Sequence, residues 1–398
     1  MRLRRTLITF SVLTSVAIST SEAQVSLYPQ VSAETNAMGG AGVSFVSDNA
    51  LATIANPADI GLFSLQGTLS ASYMPSIPKQ LNALVLDAGI ELSSLLKGIP
   101  EKLSLGVGYI NPNYSYPVLQ GENFSNNVET DVVHGLTIGL GVDYIVKLGL
   151  GYSMKWVTTK DGFPYYKSTY APDFGAIVQL PVLDLISRST NLPVRFGRFA
   201  APFLNITFGY SMCNFADYAP YGDAILPREG NLGWNFEFGL TTDLDNYQWK
   251  WISFTWLRQV NSPLTSWGGQ AYIYDTGLGD FEVINNIVAG RQTGNATIEK
   301  GWQIQLGQFV YLRGGSATGP EVTTYGTFGW GVRLNGFVKT LVIFRVLDRN
   351  SDFLRFMVDH FGLRFDYSRA QGEVVGNGNI GGIGFKGEPF ESFTVIVR

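Results

Sequence analysis

Residues 136–156, LTIGLGVDYIVKLGLGYSMKW, decide how this chain is read. Leu136, Ile138, Leu140, Val142 and Tyr144 alternate with Thr137, Gly139, Gly141 and Asp143. After residues 145–147, Leu148, Leu150, Tyr152, Met154 and Trp156 alternate with Gly149, Gly151, Ser153 and Lys155. A period of two places every bulky side chain on one face of a strand and every small or polar one on the other. The stretch therefore predicts two antiparallel strands joined by a short turn, with one apolar face and one small, polar face.

The same rhythm recurs along the chain. Leu204, Ile206, Phe208, Tyr210 and Met212 alternate with Asn205, Thr207, Gly209 and Ser211, and Phe361, Leu363, Phe365 and Tyr367 with Gly362, Arg364, Asp366 and Ser368. A soluble sandwich also alternates, so three further features separate the readings. The apolar face is bulky in nearly every run. Ten residues tilted by about 45° span roughly 25 Å, the height of a lipid-facing band. Aromatic residues recur near run ends, at Tyr109, Tyr144, Trp156, Tyr210, Trp234, Trp302, Trp330 and Tyr367, where interface girdles sit. No apolar run of 18 residues follows the N-terminal segment, so a bilayer location requires a closed barrel with no free edge.

The expected fold is all-β, a transmembrane antiparallel barrel of about 14 strands, an even number suiting a single-chain bacterial barrel. Fifteen runs present themselves, at 65–74, 81–90, 103–111, 133–144, 147–158, 171–180, 202–213, 231–242, 249–260, 281–290, 301–313, 325–335, 337–347, 359–369 and 389–397, one of them surplus. The stretches 112–131, 159–170, 214–230 and 261–280 read as long extracellular loops. Short helices are expected at 91–97 and at 348–359, the second with Ser351 as N-cap and positioned to cover one mouth of the barrel.

The chain begins with Arg2, Arg4 and Arg5, an apolar run at 7–18, and Ser21-Glu22-Ala23. A basic start, an apolar centre and a small-x-small site predict a signal peptide over 1–23, cut after Ala23. Export and a barrel together point to the outer membrane, with outer-membrane lipid as the first partner and a monomeric barrel as the unit. Charged residues make up only 15% of the chain and the net charge is −4, which excludes the basic footprint of a nucleic-acid binder. The lone Cys213 allows no internal disulfide.

Residues 24–64 break the rhythm. Met38-Gly39-Gly40-Ala41-Gly42, then Asp48-Asn49-Ala50, then Asn56-Pro57-Ala58 combine flexible glycines with small residues and an Asn-Pro turn. Such a segment can pack inside a lumen as a plug or hatch, leaving 65–398 as the barrel. These three motifs resemble the N-terminal signature of FadL-like outer-membrane barrels, most closely the PorV/PorQ branch. The resemblance implies a 14-stranded barrel with an N-terminal hatch. It implies either support of protein export or surface delivery of the type IX secretion kind, with cargo or secretion-system proteins as partners, or passage of long-chain fatty acids or other hydrophobic small molecules.

On the polar faces, Glu237, Arg258, Arg333, Arg364 and Asp366 are candidate lumen charges around the plug. Catalysis finds no constellation. Only His134 and His360 are present, too few for a zinc site built on several His or Cys ligands. Each histidine reads as a satisfied or solvated side chain. The Gly-rich stretch 376–384 lacks the Lys-Ser/Thr of a phosphate loop. No enzyme activity, cofactor or metal is expected.

Overall fold

The computed structural model describes residues 32–398, save 67–68, 76–80, 95–101, 121–122, 161–165, 191–199, 216–219, 222–223, 226–227, 245–246, 268–271, 275–280, 320–323, 348–350 and 372–388. The signal peptide and residues 24–31 lie outside the described residues, as does the Gly-rich stretch 376–384.

Among the described residues, fourteen strands close into one antiparallel barrel. They are β1 (Leu69–Met74), β2 (Leu81–Glu91), β3 (Lys102–Gln120), β4 (Asn123–Asp143), β5 (Lys147–Lys160), β6 (Asp173–Pro181), β7 (Ala201–Cys213), β8 (Glu229–Leu244), β9 (Tyr247–Pro263), β10 (Thr297–Leu306), β11 (Val310–Thr318), β12 (Tyr325–Arg333), β13 (Phe361–Gln371) and β14 (Pro389–Val397). Each pairs with its neighbours in sequence, and β14 closes on β1 through Leu69 opposite Val397 and Tyr73 opposite Phe393. No edge is left to satisfy, the condition lipid imposes. The connections at 144–146, 245–246 and 307–309 mark a turn end, and those at 161–172, 214–228, 264–296 and 372–388 a loop end.

Parity along the strands sets the two faces. Leu136, Ile138 and Leu140 on β4 are about half exposed while Gly135, Thr137, Gly139 and Gly141 between them are buried. The same holds for Val107, Phe208, Phe238, Phe328 and Phe393 on other strands. A continuous apolar exterior on a closed sheet is a surface for lipid. No helix among the described residues is long and apolar enough to cross a membrane.

Several expectations are corrected. Residues 337–343 are helical, part of α5 (Leu334–Ile343), 344–347 are turn and bend, and 281–290 contains a π-helical turn, Ile284–Ala289. Short runs apolar on all sides do not distinguish strand from helix by period. The run 301–313 is two strands, joined by a tight turn whose Gly307 and Gln308 both take positive φ, 57° and 59°. That is the backbone of a type I′ hairpin, with Gln where Asn or Gly would have announced it. Two runs lost and one divided leave fourteen. The loop expected at 112–131 is instead strand: β3 and β4 continue to Gln120 and from Asn123. Of the helix at 91–97, only a 3-10 turn, Leu92–Ser94, lies in the described residues. The other helix is α6 (Asp352–His360), where Ser351 Oγ accepts from Leu354 N at 3.4 Å, and α4 (Val182–Thr190) was not foreseen. His134 lies inside β4, exposed beside Tyr109 Oη at 2.8 Å, not at a strand start.

Residues 32–66 lie inside the barrel as α1 (Ala33–Ala37), α2 (Ala52–Ala55), α3 (Asp59–Phe63) and a 3-10 turn, nearly all buried. Wall glycines let them lie backbone against backbone. A Cβ at Gly151 would sit 2.1 Å from the Pro57 carbonyl group, and one at Gly141 2.1 Å from Gly61 O. Backbone cannot yield by that much, so Gly151→Val should cost about 1–3 kcal/mol through overpacking. It should lower the temperature at which the folded band converts on a semi-native gel. Gly362→Ala, whose Cβ would meet Ile396 at an ordinary 3.4 Å, should leave that temperature unchanged. Equal behaviour of the two variants would refute the contact.

Candidate functional site

The inner segment is held first by its own backbone. Gly39 and Gly40 have φ of 73° and 95°, conformations that exclude a β-carbon at little cost only for glycine. The turn they make brings Gly39 N to Thr327 Oγ1 at 3.0 Å, and the same hydroxyl donates to Ala37 O at 2.9 Å. Gly42 and Val43 N both donate to Gln259 Oε1 at 2.8 Å. Met38, with Ala41 and Phe45, packs on Leu257. Asn56 closes the Asn-Pro-Ala turn: Oδ1 accepts from Ala58 N at 3.0 Å and Nδ2 donates to Val43 O at 2.7 Å. Asn49 Oδ1 accepts from Leu51 N and from Thr394 Oγ1, both at 3.1 Å.

An ionic cluster then fixes the segment to β11, β12 and β13. Arg313 spans Asp366 at 2.7 Å and Glu34 at 3.1 Å, with Nε on Gln303 Oε1 at 2.6 Å. Arg364 reaches Asp366 at 2.7 Å, Asp48 at 2.9 Å, and Glu34. Arg333 also pairs with Asp48, and Arg398 stands 3.8 Å from it. The Tyr311 ring lies within 5.0–5.6 Å of three of these guanidiniums, a favourable cation–π distance. Three carboxylates thus meet three arginines, Arg313 and Arg364 buried and Arg333 half-buried, and every charge has a partner of opposite sign. Burial alone would raise the Asp48 carboxyl, but Arg333, Arg364 and Arg398 outweigh it and hold it at about 2. Asp59 has no such cations. Burial, then Asp87, Glu34 and Asp48, push it well above the usual carboxylate range, although Ser47 N donates to it at 3.2 Å.

The five expected lumen charges therefore separate. Arg333, Arg364 and Asp366 meet in this cluster. Glu237 faces the lumen elsewhere, against Lys250 at 2.6 Å and Asn205 at 3.2 Å. Arg258 is not in the lumen. It shares the outer face with Trp234 and Trp256, whose rings lie 5.8 and 5.5 Å away, and donates to Ile287 O and Val288 O. Residues 281–296 fold over the outside of the wall, where Lys300 Nζ also finds Gly290 O at 3.0 Å. The displacement has a cause: a bulge between Leu240 and Thr241 shifts the β8–β9 register, so parity counted from Trp249 points the wrong way.

Sequence reasoning missed Glu34, Arg313, Gln259 and Asp173, and set Lys155 on the polar face without naming its partner. Parity offered a signal for Arg313, which shares the odd-numbered face of Gln303 and Gln305. Lys155 and Asp173 mark an interruption in the wall. The strand Tyr166–Tyr170 continues β6 in the same register on β5, but breaks at Ala171 and Pro172. Outward of Phe174, no ladder joins it to β7 among the described residues. The seam is held by Lys155–Asp173 at 2.8 Å, Asn214 N to Asp173 Oδ1 at 2.9 Å, and Phe215 N to Pro172 O at 3.0 Å. On the lumen side Ala171 joins an apolar cluster with Val157, Val133, Ile110, Val85 and Leu51. On the outer side Tyr152, Trp156, Tyr170 and Phe215 form aromatic contacts.

The chain is a closed fourteen-stranded antiparallel β-barrel with an apolar outer face, and residues 32–66 pack against its small, polar face. No protein-family model matches it, and no curated protein matches it. Among solved structures it is similar to the CymD monoaromatic hydrocarbon channel (10% identity, 92% of this chain and 96% of that one, TM-score 0.38). It is similar also to the Pseudomonas putida toluene transporter TodX (11%, 93% and 96%, 0.38) and to a Pseudomonas aeruginosa FadL homologue (10%, 93% and 98%, 0.40). At these scores the likeness bears on no ligand. Among the described residues no group of His, Cys, Asp and Glu is arranged to hold a metal ion.

The two aspartates respond oppositely to pH. The folded value of Asp48, about 2, lies below its ordinary 3.8, so its contribution, about 2 kcal/mol, is present above pH 4 and lost as pH falls toward 2. Asp59, raised instead, weakens the fold as pH rises past its unfolded value. In denaturant titrations of the reconstituted barrel, Asp48→Asn should be the less stable at pH 7 and approach the native protein near pH 2. Asp59→Asn should gain stability at pH 7. The opposite ordering at pH 7 would refute this account.

Proposed function

We propose that this protein is an outer-membrane, FadL-like conduit for hydrophobic small molecules, which cross the wall at the β6 interruption and do not travel along the barrel axis. Residues 1–23 are its signal peptide, 24–64 its plug and 65–398 its barrel, and it acts as a monomer without covalent chemistry. The turn end faces the periplasm, as short turns do in such barrels.

One observation carries the reading. The apolar cluster of the lumen, from Leu51 of the inner segment through Ile110, Val133 and Val157, ends at Ala171, which still donates to Lys155 O of β5 at 2.8 Å but lies beyond Phe174, the last residue of β6 paired with β7. An apolar surface inside the wall and an aromatic one outside meet at the gap in the ladder. Hydrophobic pockets with few polar groups are where apolar ligands bind. The axis, by contrast, is occupied by a segment held through buried ion pairs. The alternative, support of protein export or surface delivery with secreted cargo as partner, rests on the N-terminal resemblance and gains no separate observation among the described residues.

Vesicles carrying the barrel should take up a fluorescent long-chain fatty acid faster than empty vesicles. Ala171→Trp, which fills the end of the cluster, should slow uptake on the order of tenfold, the effect of a ~1.4 kcal/mol barrier, with the folded band on gels retained. Uptake no faster than in empty vesicles would sink the proposal. Undiminished uptake through a folded Ala171→Trp barrel would sink the lateral route.

A further inference from the structure

Among the described residues three helices stand at the turn end, α4, α5 and α6. Helix α5 follows β12 directly, with Val332 and Leu334 on either side of Arg333 both exposed. It then runs across the outer feet of the neighbouring strands. Gly336 lies on the β10–β11 turn, where a Cβ would come within 2.1 Å of Gln308 O. Phe337 meets Phe309 at 5.8 Å, and Phe344 meets Trp251 of β9 at 6.3 Å.

The composition of α5 is unusual for a helix outside a core. Of Leu334–Ile343 only Asn335, Lys339 and Thr340 are polar, and the Thr340 hydroxyl is satisfied by Gly336 O at 2.8 Å. Those three residues fall on one side of the helix, and the broad apolar face left over belongs against a core or a bilayer. Ten residues rise about 15 Å, half of a ~30 Å hydrocarbon layer, so α5 cannot cross. Leu334, Phe337 and Phe344 are exposed, as are Phe353 and Phe356 of α6 and Ile186 of α4.

Between α5 and the outer wall runs a groove of about 570 Å³, lined by Val332, Phe337, Leu363, Phe365, Phe393 and Val395. The charges of those strands, Arg364 and Asp366, point into the lumen and leave hydrocarbon outside. The arrangement recurs beside α4, where a groove of about 540 Å³ is lined by Leu183, Leu204, Phe238, Leu240, Ile252 and Phe254. Both grooves are continuous with the lipid-facing belt of the barrel.

We infer that α4, α5 and α6 form a collar seated in the turn-end leaflet, and that the grooves beneath α4 and α5 each hold an acyl chain of a glycerophospholipid of that leaflet. Short apolar helices lying in the interface bury their faces among the upper acyl chains. The inference rests on the barrel spanning a membrane and is independent of what it conducts.

Depth and occupancy test it separately. With Cys213 replaced by Ser, nitroxide labels at Phe337→Cys and Phe353→Cys are compared with Phe393→Cys on the wall and Ser189→Cys on the polar side of α4. The host is vesicles of phosphatidylethanolamine and phosphatidylglycerol. Labels at 337 and 353 should follow the wall label, accessible to oxygen and shielded from a nickel chelate. Nickel access matching that at 189 would overturn the collar. Labels exposed in vesicles but shielded in whole envelopes would also overturn it, since a protein would then cover the helices. For occupancy, Val395→Trp fills the α5 groove. Native mass spectrometry of the folded barrel should show one retained phospholipid fewer than the parent, and an equal count would overturn the acyl-chain site.

Discussion

Everything in this molecule depends on backbone lying directly against backbone inside a closed sheet. Closure satisfies every strand but encloses a lumen, and the lumen must hold water or protein. Here it holds protein, and the inner face of the wall is cut to receive it. Pro57 rests on Gly151, Gly61 on Gly141, Val43 on Gly209, and Met38 and Gly39 on Gly315. The small residues that alternate with the lipid-facing ones are therefore not merely what remains after the outside is chosen. They are contact surfaces, and a methyl group at any of these positions would push two main chains apart. One two-residue period thus meets two demands, bulk toward lipid and absence of bulk toward the inner segment.

Glycine contacts position the segment, whereas charges hold it. Buried ion pairs give little net stability against an apolar alternative, but removing one partner costs about 3–5 kcal/mol, because a charge is left without compensation. Glu34, Asp48 and Asp366 facing Arg313, Arg333 and Arg364 therefore define one seat for the segment, and any displaced position strands several charges at once. Tyr311 at the centre shields the cluster from water with a ring that tolerates cations. The same logic operates outside, where Arg258 and Lys300 find carbonyls of the segment 281–296 and so sit on the lipid side without an exposed charge.

Much of this was legible in the sequence because parity is a strong signal in long strands. The faces of residues 136–156 and the inward pair Arg364 and Asp366 follow from alternation, and closure from the need to leave no free edge in lipid; the count of fourteen agrees although two of the fifteen runs are not strands and one is two strands. Alternation fails where the backbone departs from period two. The bulge at Leu240 reversed the face of Arg258, and the Gly307-Gln308 turn kept its parity across a hairpin and so passed for continuous strand. It fails also in α5, where three polar residues in ten are too few to announce a helical period. The ionic partners on the inner segment were the least visible: Glu34 lies in a short helix with no pattern, and its role exists only where four separate stretches of chain converge.

The balance of these interactions favours movement through the wall over movement along the axis. Withdrawing residues 32–66 would unpair Glu34 and Asp48 from their arginines in a water-poor interior, and each stranded charge alone would cost several kcal/mol. Parting the seam at Pro172 breaks less. Three hydrogen bonds cross it, Phe215 N to Pro172 O, Asn214 N to Asp173 Oδ1 and Lys155 Nζ to Asn214 Oδ1 at 3.0 Å, each worth about 0.5–1.5 kcal/mol net and more where a charge takes part, while the Lys155–Asp173 pair can stay intact on the β5–β6 side. The rest of the ladder between β6 and β7, from Phe174 inward, need not move. Proline supplies no N–H at the break, so parting the backbone bond there leaves only the Pro172 carbonyl and the Phe215 N–H to be satisfied anew. The strongest constraint in the fold, the seat of the inner segment, and the weakest, the seam beside it, lie on opposite sides of one apolar cluster, and an apolar molecule held in that cluster would meet its lowest barrier on the side of the seam.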